Sequence, residues 1–273
     1  MYHYHANALG LGGRISRPLE QVIESQAATS LASTGGFGSA HIENFNFKNI
    51  VSFRVAHSEV AGSLLEDRGV RHHTSRVSVS VEGLNILNVV TADKIVGRLA
   101  SRHPDDDHEP GIIATGSYFE NLKIAGHLVE VVEFAHETFH DFDTYQKLQD
   151  AFVAQDKRQE VLNSMLGSDL QPHPADAQHL HDVHQGFSKQ RDLGELQRTV
   201  LCSVVKKIKL HPGSKEIRAF GPVVVVPRFG TIYLGELIVA HGSKRLNMLR
   251  LVLGSPDEGE IVCASGDGNG GGY

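Results

Sequence analysis

Three segments of the chain repeat one pattern: SAHIENFNFKN at 39–49, SVSVEGLNILN at 78–88 and GSYFENLKIAG at 116–126. Each runs apolar, Glu, small or polar, then alternating apolar positions to a closing Asn or Gly. The aligned glutamates are Glu43, Glu82 and Glu120, at intervals of 39 and 38 residues. A period of that size marks a repeated supersecondary unit, and it narrows the fold more than any other feature of the chain.

Within each copy apolar residues alternate, as in Val79, Val81, Leu84 and Ile86, with one irregular step at the glutamate. A period of two predicts half-buried strands. The polar stretches LLEDRGVRHH at 64–73 and RHPDDDHEPG at 102–111 read as turn-rich connections. The C-terminal third returns to strand patterns in TVLCSVVKKIKL, GPVVVVPRFGTIYLGELIVA and RLNMLRLVLG. Asp143 and Gln146 have capping-box spacing, and Tyr145, Leu148, Phe152, Val161, Leu162, Met165 and Leu166 recur at helical intervals. One or two helices are expected over 144–166.

The expected fold is mainly β: a stacked repeat, solenoid-like or sandwich, of about three units plus C-terminal strands, with one helical insertion. The expected divisions are a β-repeat region at 1–133 and a helical segment with a His-rich insertion at 134–195. Strands at 196–264 complete the same core, and a flexible Gly-rich tail occupies 265–273.

The net charge of −6 and scattered basic residues argue against a nucleic-acid partner. The 17 histidines make charge, and with it solubility or assembly, sensitive to mildly acidic pH. Two cysteines, Cys202 and Cys263, do not form a disulfide scaffold, and spacing alone leaves their pairing open. The opening MYHYHANALGLGGR lacks the features of a secretory signal, and no window approaches the roughly 18 apolar residues of a membrane span. A cytoplasmic protein without membrane insertion is the default expectation, with export by a non-classical route left open.

The chemistry-bearing motifs are few. His136, Glu137 and His140 have the H-E-x-x-H spacing of zinc proteases, and Glu160 follows where the thermolysin-like enzymes that this stretch resembles place a third ligand. Such a site would bind zinc through His136, His140 and Glu160 and use Glu137 as general base. The stretch before it, HLVEVVEF, alternates like a strand, which puts the histidines at a strand-to-helix junction rather than one helical turn apart. His179, His181 and His184 resemble the ligand run of metallo-β-lactamase-type hydrolases, but the acid, Asp182, directly follows the second histidine, so a solvated His-rich insertion is the preferred reading. Asp105, Asp106, Asp107 and His108 form an acidic turn with oxygen ligands for Ca²⁺, or simply a solvated one. The repeated Glu43, Glu82 and Glu120 would form a carboxylate ladder or, as preferred here, satisfy turns beside basic groups. No cofactor is expected outside the zinc reading.

VEGLNILNVVTADKIVGRLAS, with Thr91, Ala92 and Asp93, and GSYFENLKIAG, with Gly116, Ser117, Asn121 and Leu122, are similar to the β-rich repeats of bacterial choice-of-anchor surface domains. The resemblance covers about half of the chain. It implies β architecture and a structural or adhesive role, with no catalytic residues. The leading expectation is a non-enzymatic, self-associating structural protein of bacterial type. The alternatives are a zinc hydrolase and a carbohydrate- or metal-binding module, whose small-molecule or glycan partner the sequence does not name.

Overall fold

A computed structural model describes residues 2–67, 69–104, 109–134, 143–153, 199–211, 217–240, 243–254 and 258–272. The described chain is mainly β, with two antiparallel sheets and one short helix, α1 (Tyr145–Val153).

The first sheet contains β1 (Tyr2–Arg17), β2 (Gln21–Gln26), β3 (Thr29–Ser30), β12 (Thr199–Ser203), β14 (Arg218–Phe220), β15 (Val223–Val226), β16 (Gly230–Ala240), β17 (Ser243–Leu253) and β18 (Glu258–Gly272). Its path runs β14-β15-β16-β17-β18-β1-β2, with β12 beside β16 and β3 beside β1. The second sheet contains β4 (Gly36–Phe47), β5 (Val51–Asp67), β6 (Val70–Ile86), β7 (Val90–Pro104), β8 (Gly111–Ile113), β9 (Tyr118–Glu120), β10 (Lys123–Ile124), β11 (His127–Phe134) and β13 (Val205–Leu210). Its path is β13-β11-β10-β7-β6-β5-β4, with β8 and β9 also on β7. Apolar residues of both sheets, among them Leu11, Val79, Ile95, Leu249 and Ile261, join in one buried cluster. The sheets therefore face each other as layers of a sandwich.

The three repeats are the hairpins β4–β5, β6–β7 and β10–β11, with β9 preceding β10. Each turn holds two residues at positive φ: Lys48 and Asn49, Leu87 and Asn88, Ala125 and Gly126. Such a left-handed pair closes a tight turn whose twist matches the flanking strands; the third loop has these two residues alone, while the first two add Ile50 and Val89, whose N–H groups bond back to the Phe47 and Ile86 carbonyls. In the first two copies an asparagine braces the turn, as Asn46 Oδ1 accepts the Asn49 N–H and Asn85 Oδ1 accepts the Asn88 N–H.

The irregular step after each glutamate has a backbone cause. Asn44, Gly83 and Asn121 lie in the left-handed region, at φ of 54°, 66° and 48°. Asn and Gly tolerate it best, because other side chains clash with the backbone there. The step shifts side-chain alternation, so that buried Val79 and Val81 are followed by buried Leu84 and Ile86. The first sheet makes the same switch where Gly235 (φ 61°) and Ala264 (φ 50°) flank Met248, with Leu246 buried on one side and Leu249 and Leu251 on the other.

Several expectations change. The repeats do not stack as solenoid coils; they lie side by side in one sheet, whose inner face is covered by the other sheet rather than by further repeats. Residues 2–30, at the start of the expected β-repeat region, contribute β1–β3 to the first sheet. The Gly-rich end is no tail as far as Gly272, since β18 pairs with β1 and β17 on either side. Its glycines fit because the sheets approach closely there: a Cβ on Gly266 would collide with Val77, and one on Gly10 of the neighbouring β1 would come within 2.9 Å of the Ala56 Cβ.

At the start of α1, Thr144 Oγ1 accepts the Lys147 N–H at 3.3 Å. Glu109, from the loop before β8, accepts the N–H groups of Tyr145 and Gln146 at 2.8 and 3.0 Å. These groups cap the helix in place of the Asp143 and Gln146 pair expected from the sequence. Asp143 instead bonds Lys147 at 2.6 Å. The remainder of the expected helical region, 154–166, lies outside the described residues.

Candidate functional site

The described part of the first sheet carries a polar groove of about 780 Å³. Strands β16, β17 and β18 supply Glu236, Asn247, Arg250, Glu260, Ser265 and Asp267, β1 adds Asn7, and residues 25–30 form the opposite wall. The register sets Glu236 opposite Asn247 and Asn247 opposite Ser265, so the floor is one cross-strand row. The alternation switch at Met248 lets Asn247 and Arg250 both face this groove while Leu246 and Leu249 point to the core.

The floor is joined by hydrogen bonds. Arg250 grips the Glu236 carboxylate in a fork, Nε to Oε2 at 2.8 Å and Nη2 to Oε1 at 2.6 Å. Asn247 Nδ2 donates to Glu236 Oε2 at 3.0 Å, and Ser265 Oγ donates to Asn247 Oδ1 at 2.7 Å. The Glu236 side chain is 6% exposed and that of Arg250 20%, so the pair is screened from bulk water. The Arg250 guanidinium also lies 3.9 Å from the Tyr233 ring centroid, as a cation–π contact. Burial alone would lower the Arg250 pKa, but its bonds and attraction to Glu236 outweigh that and raise it. Burial raises the Tyr233 hydroxyl against the opposing pull of Arg250.

At the rim, Asp267 accepts from Asn7 Nδ2 at 2.8 Å and His5 Nε2 at 3.0 Å, with Arg245 at 3.6 Å. The floor carboxylate is thus paired with a guanidinium from within the protein. The groove offers rim amides, hydroxyls and carboxylates for hydrogen bonding. Cys263, from β18, is a free buried thiol whose pKa burial pushes up, which keeps it protonated and unreactive.

Sequence reasoning missed this groove. Its signals were Glu236 amid the apolar residues of LGELIV and Asn247 interrupting Leu246 and Met248, but neither names its partners.

Among the residues singled out from sequence, Glu43, Glu82 and Glu120 do share one row of the second sheet: Glu43 faces Val55, Val55 faces Glu82, Glu82 faces Lys94 and Lys94 faces Glu120. Basic groups interrupt the carboxylates. Glu82 bonds Lys94 at 2.9 Å and Arg54 at 2.5 Å, and its hydrogen bond to Lys94, the largest influence, helps to hold its pKa below the usual value. Glu43 bonds His41 at 2.9 Å. The zinc-motif residues His136, Glu137, His140 and Glu160, the run His179, His181 and His184, and the acidic turn Asp105, Asp106, Asp107 and His108 lie outside the described residues. Among the described residues no group of three or more His, Cys, Asp or Glu side chains is placed to hold a metal ion. No helix among them is long and apolar enough to cross a membrane.

Fold and groove together define a two-sheet, all-β protein with an internally neutralised polar cleft. The chain belongs to the family described as a domain of unknown function (DUF8256), whose model matches residues 2–240. No curated protein and no solved structure matches the chain.

Proposed function

We propose that the protein is a non-enzymatic structural protein that self-associates, and that its contact with a second copy is the free edge of β4. The supporting observation is the contrast between the two ends of the second sheet. β13, at one end, carries Lys206, Lys207 and Lys209, a common guard against edge-to-edge pairing. β4, at the other, is twelve residues long, GFGSAHIENFNF, with Glu43 its one acid, no lysine and no proline. Among the described residues only β5 pairs with it.

Antiparallel pairing of two β4 strands about Ile42 gives the self-complementary contact that a two-fold dimer requires. Each His41 then faces Glu43 of the second copy, so an imidazole N–H can donate to a carboxylate across the axis. The mass in solution, measured by light scattering from micromolar to several hundred micromolar, should correspond to two chains or a multiple of two. A single-chain mass throughout would overturn the proposal.

The groove around Glu236 and Arg250 favours a second reading, that of a module binding a hydroxyl-rich ligand. Its rim supplies amide, hydroxyl and carboxylate groups of the kind that bind sugars. A glycan array without hits would remove that reading.

A further inference from the structure

The outer face of the second sheet carries a groove of about 450 Å³, one wall of which, Phe37, comes from β4. Three arginines line it: Arg76 from β6, and Arg98 and Arg102 from β7. The register pairs Arg76 with Ala100, so Arg98 and Arg102 occupy the two diagonal positions on either side of it. Diagonal neighbours on one face of an antiparallel pair stand about 7–8 Å apart, within reach for long side chains. Three like charges are thereby gathered in a chain whose net charge is −6.

The groove does little to offset them. Its one lining carboxylate, Glu59, bonds His57 at 3.0 Å. Arg102 Nη2 donates to His72 Nδ1 at 3.2 Å and lies 3.8 Å from Asp67. Arg76 and Arg98 have no side-chain hydrogen bond or ion pair among the described residues. Thr74, Ser78 and Thr115 add hydroxyls, while Phe37 and Ile113, 68% and 40% exposed, form an apolar wall. Clustered guanidiniums repel one another, and an oxyanion held by their fork-shaped donors would relieve that repulsion.

We propose that this groove binds an organic oxyanion, with its carboxylate or phosphate oxygens on Arg76, Arg98 and Arg102 and its apolar body against Phe37 and Ile113. The test is calorimetric titration of the full chain with phenyl phosphate, benzoate, inorganic phosphate and phenol at low and physiological salt. Phenyl phosphate or benzoate should bind tightest, inorganic phosphate more weakly, and phenol not measurably. The better of the two organic anions identifies the preferred anionic group.

Arg76→Met/Arg98→Met should weaken anion binding at least tenfold while leaving the melting temperature of the free protein nearly unchanged, because both side chains are exposed. Phe37→Ala should reduce affinity for the organic anion and spare inorganic phosphate. Arg98→Lys, which keeps the charge but loses the fork, should lie between wild type and the double variant. Absence of binding by every anion, or binding unaffected by Arg76→Met/Arg98→Met, would overturn the proposal.

Discussion

Lys244, the second residue of β17, has its side chain buried at 1% exposure, its Nζ donating to the Pro110 carbonyl at 2.8 Å. Burial pushes its pKa down to about 8, and the nearby charges of Glu109 and Asp143 only partly oppose this. An unfolded lysine titrates near 10.4, so between about 8 and 10.4 the unfolded chain binds more protons than the folded one. Stability contributed by this residue therefore rises with pH across that window, by on the order of 3 kcal/mol. Lys244→Met should gain stability relative to wild type at pH 7 and lose that advantage by pH 10, as denaturant melts will read. A difference independent of pH would contradict the assignment.

The Glu236–Arg250 pair is a second site of buried charge among the described residues. Arg250→Met strands a carboxylate and should cost about 3 kcal/mol or more, whereas Glu236→Leu/Arg250→Met should recover most of that loss. A double-mutant cycle by chemical denaturation measures the coupling. These residues were hard to read in sequence because their partners are fixed by register: Arg250 and Glu236 meet across a hairpin, and Asn7 meets Asp267 from the opposite end of the chain.

Strand character and the repeat were legible because their causes are local. Alternating apolar residues, Asn or Gly after the glutamate and paired left-handed turn residues all fall within a dozen positions of one another. The same signals did not reveal how hairpins combine, since a half-buried strand looks alike in a solenoid and a sandwich. The end of the chain misled for a related reason. Glycine in SGDGNGGG signals flexibility by composition, but in β18 Gly266 marks where the opposing sheet leaves no room for a side chain. Gly266→Val should accordingly cost about 1–3 kcal/mol or more through collision with Val77. Gly83→Val, which forces a β-branched residue to φ 66°, should cost at least about 1–2 kcal/mol. Thermal melts check both, and an unchanged melting temperature in either variant would contradict the geometry behind it.

At the scale of the whole molecule, the second sheet ends in one lysine-guarded strand and one unguarded strand, and the proposed function rests on that asymmetry. The antiparallel contact about Ile42 predicts which side chains meet, so its test can be specific to residues rather than general to surfaces. Glu43→Lys would set a cation opposite His41 of the second copy, and His41→Glu/Glu43→Lys would restore opposite charges in swapped positions. The decisive measurement is the solution mass of wild type, Glu43→Lys and the double swap by light scattering at matched concentration. The account predicts an associated wild type, a single variant shifted toward the monomer and a double variant that associates again. A wild type that remains monomeric, or association indifferent to Glu43→Lys, would contradict it.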